Sequence, residues 1–143
     1  MLYKKILLPI DVNDKDSWEK TLPACESMLK DNPEAELYIL SVIPNFGMSM
    51  MEEYFPVGWK KEVSNKTKAE LEKIVSKNLQ SDLNPQLIVG RGVVYQVLLE
   101  QASKLEIDLI VIAASHPSRK DYLLGPNVAK VARHAEVSVL ICR

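Results

Sequence analysis

Two stretches of the chain carry residues whose types and spacing suit chemistry, and each follows an apolar run. In PIDVND (9–14) a carboxylate, Asp11, comes directly after the run KKILLPI. In ASHPSRKDYLLGPN (114–127) a single glycine, Gly125, precedes a helix-like stretch. Asp11 could accept a hydrogen bond from a ribose hydroxyl, or help hold a divalent cation bound to phosphates. It could equally close its own turn by accepting from a backbone N–H near Asn13. Gly125 could bring a phosphate to the free N–H groups and positive dipole end of the following helix. Its alternative role is a tight turn that needs positive φ.

Other reactive residue types form no constellation. Ser115 and His116 sit in the second stretch without the G-x-S-x-G context of a nucleophile elbow, and no acid–base partner is evident. They read as loop residues. Arg119 and Lys120 could clamp a phosphate chain or be solvated. His134, near a helix end, suits a favourable C-terminal group better than a base. His116 and His134 do not complete metal-ligand pairs with Cys25 and Cys142. The two cysteines, far apart in sequence, read as reduced thiols in separate contexts of a cytosolic protein. Met48, Met50, Met51, Tyr54, Phe55 and Trp59 make the connector 44–59 unusually apolar, as in an interface or lid, or a segment packed on its own helices.

The elements that must position these residues follow from hydrophobic periodicity. Residues 4–10, 36–43, 86–90, 107–114 and 137–143 read as strands, the fourth most strongly. Helical spacing predicts helices over 16–30, 60–79, 93–105 and 127–134, with Pro23 arguing for a start near Thr21 or a kink. Pro9 lacks a ladder donor and belongs at the last rung of the first strand. Strands alternating with helices imply parallel βαβ units in a doubly wound α/β sheet. In the strand order 3-2-1-4-5, ligands bind at the strand carboxyl ends between strands one and four. Both stretches fall there.

The 143 residues suit one domain, 1–143, of ordinary soluble composition: 47% hydrophobic and 26% charged. A net charge of −1 argues against a nucleic-acid partner. No apolar run is long enough to span a membrane, and the first residues read as a strand and not a signal peptide. A cytoplasmic location is the expectation.

Over its full length the chain resembles the universal stress protein A superfamily, through KKILLPIDVND, LYILSVIP and DLIVIAASH…YLLGPNVAKVARHAEVSVLICR. The last stretch is most similar to the F-type branch. The resemblance implies a Rossmann-like fold of the adenine nucleotide alpha hydrolase type. Its five parallel strands run in the order 3-2-1-4-5, with helices on both faces. It also implies a nucleotide site in which Pro9 and Asp11 supply the strand-one contacts, the Val42 backbone meets adenine and Ala113 packs on the base.

ATP-binding members carry G-x2-G-x9-G-[S/T] after strand four. Here Ala114 and Pro117 stand for the first two glycines, seven residues (118–124) precede Gly125, and Pro126 replaces the hydroxyl residue. Gly125 and the amides of Asn127 and Val128 are the remaining phosphate-facing candidates. Losing one or two charge-assisted bonds, at roughly 1.5–3 kcal/mol each, lowers affinity by about one to four decades. The implied ligand is ATP or AMP, held weakly, with Mg2+ present only alongside nucleotide.

The resemblance further implies a homodimer that pairs last strands through Val137, Val139 and Ile141, an edge otherwise left open. The expected function is a non-catalytic or very slow-turnover nucleotide-binding module in the stress response. The alternative is a nucleotide-free dimeric interaction module, with 44–59 recognising a protein. A phosphoacceptor receiver domain would need an aspartate after strand three and a lysine after strand five, where Val89-Gly90 and Cys142-Arg143 stand. An ATP-pyrophosphatase would need a glycine- and serine-rich loop in place of PIDVND.

Overall fold

Three consecutive aliphatic residues, Ile6, Leu7 and Leu8, are almost wholly removed from solvent. A strand buried on both sides needs a covering layer on each. In the computed structural model, which describes residues 3–44, 54–80, 82–114 and 125–143, this strand is β1 (Lys5–Pro9). It lies at the centre of a sheet with β2 (Glu36–Pro44), β3 (Gln86–Gly92), β4 (Leu109–Ala113) and β5 (Ser138–Cys142). The order is β3-β2-β1-β4-β5, as the family resemblance implied, and every pairing is parallel, as the alternation of strands and helices implied.

Side-chain alternation along the strands divides the core into two halves. Ile6, Leu8, Leu37, Ile39, Leu109 and Val111 pack against α1 (Thr21–Lys30) and α2 (Trp59–Asn78). Leu7, Tyr38, Leu40, Ile110 and Ile112 pack on the other face against α3 (Val94–Lys104) and α4 (Pro126–His134). Helices thus cover both faces. Among the described residues, no helix is long and apolar enough to cross a membrane.

Local chemistry moves several boundaries. The first helix starts at Thr21 and not Asp16, because Asp14 caps a 3-10 turn over Lys15–Ser17 by accepting from the Asp16 N–H. Pro23 then falls in the first turn, where its missing N–H would have no intrahelical acceptor. The fourth strand starts at Leu109 and not Ile107, whose N–H bonds the Ala102 carbonyl and closes α3. The third strand runs to Gly92, pairing Arg91 with Ile43 and Gly92 with Pro44. Gly92, at φ 138°, then turns the chain towards α3.

The cysteines correct the sequence reading of separate contexts: buried Cys25 on α1 and half-buried Cys142 at the end of β5 pack in the same half of the core. Burial foremost, and then proximity to Cys142, pushes the Cys25 thiol from the ordinary 9.0 to about 12. The folded state therefore holds this proton more tightly than the unfolded chain, and stability falls as pH rises from about 9 towards 12. Iodoacetamide at pH 8 is expected to leave Cys25 unmodified in the folded protein and to alkylate it in guanidinium, as read by peptide mass spectrometry.

Gly90 has a packing reason to lack a side chain. A Cβ there would lie 2.7 Å from Val97 Cγ1. Gly90→Ala is expected to cost about 1–3 kcal/mol in urea unfolding. Adding Val97→Ala should relieve part of that loss, giving a coupling that simple additivity would not.

Candidate functional site

β1 and β4 are neighbours, yet the chain leaves them towards opposite faces, to α1 and to α4. A crevice opens where the connections part. It forms a cleft of about 510 Å3 at the carboxyl ends of β1, β2 and β4, walled by α2 on one side and by the starts of α3 and α4 on the other. Its lining includes Pro9, Asp11, Val42, Ala113, Asn127 and Val128, six of the nine residues that the sequence reading assigns to nucleotide.

The floor begins at Pro9, the last rung of β1. The following N–H, of Ile10, donates to the Leu40 carbonyl at 2.8 Å and keeps the chain against β2. Asp11 Oδ1 accepts from the Asn13 N–H at 2.9 Å, so the carboxylate does close its own turn. Asp11 remains exposed and lines the cleft, and no described residue bonds its Oδ2. Structural and ligand-facing roles are therefore compatible in one side chain.

Ser17 fastens this turn. Its Oγ accepts from the Asp11 N–H at 2.9 Å and lies within donating distance of the Asp14 carbonyl, at 2.7 Å, and of the Asp11 carbonyl, at 3.1 Å.

The α2 wall contributes Val63 and Thr67. Arg91 holds that helix: Nη2 donates to the Lys60 carbonyl at 3.1 Å and reaches Ser64 Oγ at 3.4 Å. Its guanidinium carbon lies 5.4 Å from the centroid of the Trp59 ring, which contacts Phe55 at 4.9 Å.

On the α4 side the geometry differs from the sequence expectation. Gly125 has φ −58° and ψ 158°, which any residue adopts, so no positive-φ turn exists there. Its N–H donates to the Ala114 carbonyl at 3.2 Å, and the Ala114 N–H donates to the Cys142 carbonyl at 2.8 Å. Neither residue lines the cleft. Ala114 instead borders a smaller cavity of about 190 Å3 beside Lys20 and Cys142. Pro126 opens α4 comfortably as a residue without an N–H. No described residue accepts from the N–H groups of Asn127 or Val128.

Pro117, with Ser115, His116, Arg119 and Lys120, lies outside the described residues, as do Met48, Met50 and Met51. Of the proposed dimer residues, Val139 and Ile141 on β5 and Val137 just before it pack, partly buried, against the α3/α4 half of the core. β5 is an edge of the sheet. No group of three or more potential ligand side chains could hold a metal ion among the described residues.

Sequence reasoning missed Ser17, Ser41, Val63, Thr67 and Val94 as parts of the site. Ser41 left a signal, the lone serine in a run, LYILSVI, that is otherwise aliphatic or aromatic. Val63 and Thr67 are one turn apart in a helix that reads as solvated.

The sequence matches the universal stress protein family over residues 2–143. The chain belongs to this family. Curated relatives include universal stress protein G of Salmonella typhimurium, 27% identical over 99% of this chain and 100% of the relative. The protein of the same name from Escherichia coli O157:H7 is 26% identical over the same shares. These carry the G designation, whereas the last third of the sequence suggested the F-type branch.

Among solved structures, hypothetical protein MJ0577 superposes with a TM-score of 0.82 at 22% identity, covering 99% of this chain and 96% of that one. A universal stress protein in complex with cAMP superposes at 0.69 and 19% identity, covering 100% and 98%. UspA from Lactobacillus plantarum does so at 0.72 and 18%, covering 100% and 99%. At these identities the likeness shows the fold.

The Ser17 clasp can be tested directly. Ser17→Ala should leave the Asp11 N–H without its acceptor, lower stability by about 1 kcal/mol and speed hydrogen exchange at the Asp11 amide.

Proposed function

We propose that this universal stress protein binds an adenine nucleotide, AMP or ATP, in the cleft at the carboxyl ends of β1, β2 and β4. The observation that carries this reading is the cleft itself: about 510 Å3 at the switch point, with Asp11 at its mouth and the N-terminus of α4 at one end. That volume falls in the usual range for small-molecule sites, roughly 300–1,000 Å3. The cAMP complex of a structural relative supports an adenine nucleotide as the ligand class.

Asp11 Oδ2 accepts from the ribose, the Val42 backbone faces the base, and the N–H groups of Asn127 and Val128 take the phosphate. Phosphate binding is weakened: the Gly125 N–H is already committed to Ala114, and Pro126 has none. In sequence, Pro117 stands where ATP-binding members carry their second glycine, which removes a further amide donor. Mg2+ enters only with nucleotide. No described side chain stands as a positioned general base, so turnover is absent or slow.

The protein acts in the cytoplasm as a homodimer paired through β5, and couples nucleotide occupancy to a partner that discriminates the two states. A second reading, a nucleotide-free interaction module, draws support from the connector. Tyr54 is 79% exposed, and Val57 is fully exposed beside the start of α2.

Two measurements separate the readings. Acid precipitation of the purified protein and anion-exchange chromatography of the supernatant should release AMP or ATP. Millimolar AMP or ATP should also raise the melting temperature, and Asp11→Ala should reduce that rise. Absence of both released nucleotide and thermal shift would favour the interaction module.

A further inference from the structure

Ser41 stands apart from the other buried polar residue. Among the described residues only Thr21 and Ser41 are polar and buried, at 0% and 2% exposure. Thr21 satisfies its hydroxyl by donating to the Ser17 carbonyl at 2.8 Å. The Ser41 hydroxyl bonds no described residue, yet among the described residues no fully enclosed side-chain polar atom lacks a partner. Its Oγ therefore keeps a small opening, and the space it borders is the cleft. A hydroxyl withdrawn from bulk water without a protein partner costs stability unless a ligand or water meets it. The apolar pattern of β2 offers no structural reason for a serine, since Ile39 on the same face packs into the core.

The position of Ser41 indicates which part of a ligand it meets. Phosphate belongs at the N-terminus of α4, next to the end of β4. Ser41 lies on β2, two strands away across β1. Strand spacing makes that span about 10 Å, comparable to the reach from phosphate to base in an extended nucleotide. At this far end the neighbouring surfaces are largely apolar: Val42, Ile43, Pro44 and Val63, with Thr67 on α2. Such surfaces suit the faces of a purine, and a hydroxyl among them suits its hydrogen-bonding edge.

We propose that Ser41 is a specificity-determining residue whose Oγ accepts a hydrogen bond from the exocyclic 6-amino group of adenine. This rests on the nucleotide reading above and deepens it: the cleft selects 6-aminopurine nucleotides over purines that lack the amine. Only a hydrogen bond forms, and the ligand is released unchanged.

Isothermal titration calorimetry of the full-length protein with AMP and with purine riboside 5′-monophosphate, which lacks the amine, tests this. The wild type should prefer AMP by roughly threefold to tenfold. Ser41→Ala should weaken AMP to the level of the analogue and leave analogue affinity unchanged, while Ser41→Thr, which retains a hydroxyl, should keep a preference for AMP. A wild-type preference below twofold would overturn the assignment without recourse to any variant. Equal weakening of both ligands by Ser41→Ala would also overturn it, while leaving the nucleotide reading standing. If the wild type binds neither ligand, the nucleotide reading falls and this assignment with it.

Discussion

The structure depends on one geometric constraint: neighbouring parallel strands β1 and β4 must send their chains to opposite faces of the sheet. Parallel strands need crossover connections, and these are right-handed. From β1 the order runs outward through β2 to β3 on one side, and through β4 to β5 on the other. Helices α1 and α2 therefore cover one face, while α3 and α4 cover the other. Where the two directions diverge a crevice opens at the strand ends, and the described residues line a cleft there. The aliphatic runs of β1 and β4 make this arrangement stable, because strands apolar on both sides lose most surface to water at the centre of a sheet covered on both faces.

On that frame, short polar interactions determine what the cleft offers. Ser17 fixes the backbone of the Asp11 turn, and Asp11 uses one oxygen to complete it. Arg91 ties the start of α2 to β3 and brings Val63 and Thr67 over the ends of β1 and β2. The opposite end is built differently. Gly125 turns its N–H towards Ala114, and Pro126 has none to offer, so the first amides of α4 available beyond them are those of Asn127 and Val128. The cleft is thus more completely formed at the β1/β2 end than at the α4 end, and under the nucleotide reading proposed above this fits a binding module better than a phosphoryl-transfer catalyst.

Much of the fold was legible in sequence because period and length coincide in its strongest elements. IDLIVIAA and KKILLPI are too short for core helices and too continuous for half-exposed strands, so buried parallel strands were the consistent choice. Pro9 could be placed at a strand's last rung because it lacks a donor. Boundaries set by side-chain bonds were less visible: the Asp14 cap delays α1, and Gly90 hides its role until Val97 is packed above it.

The site divides in the same way. Pro9 and Asp11 sit at a strand end whose place follows from topology, while Val42 and Ala113, also at strand ends, were legible through the family resemblance. Ser17 and Thr67 join through contacts that periodicity cannot report, whereas Ser41 stood out within its strand. The proximity of Cys25 to Cys142, at nearly opposite ends of the chain, is likewise a product of strand order. Gly125 misled for a specific reason: a glycine before a helix suggests unusual φ, whereas its backbone is ordinary and its donor points inward.

The central claim is that a nucleotide lies across the carboxyl ends of β4, β1 and β2. Titrating AMP into 15N-labelled protein and following backbone amide shifts tests it most directly. The account predicts the largest perturbations at Asp11, Val42, Asn127 and Val128, with a smaller effect at Ser41. Saturable shifts confined to the groove between α3 and α4, or no saturable shifts at millimolar AMP, would contradict it.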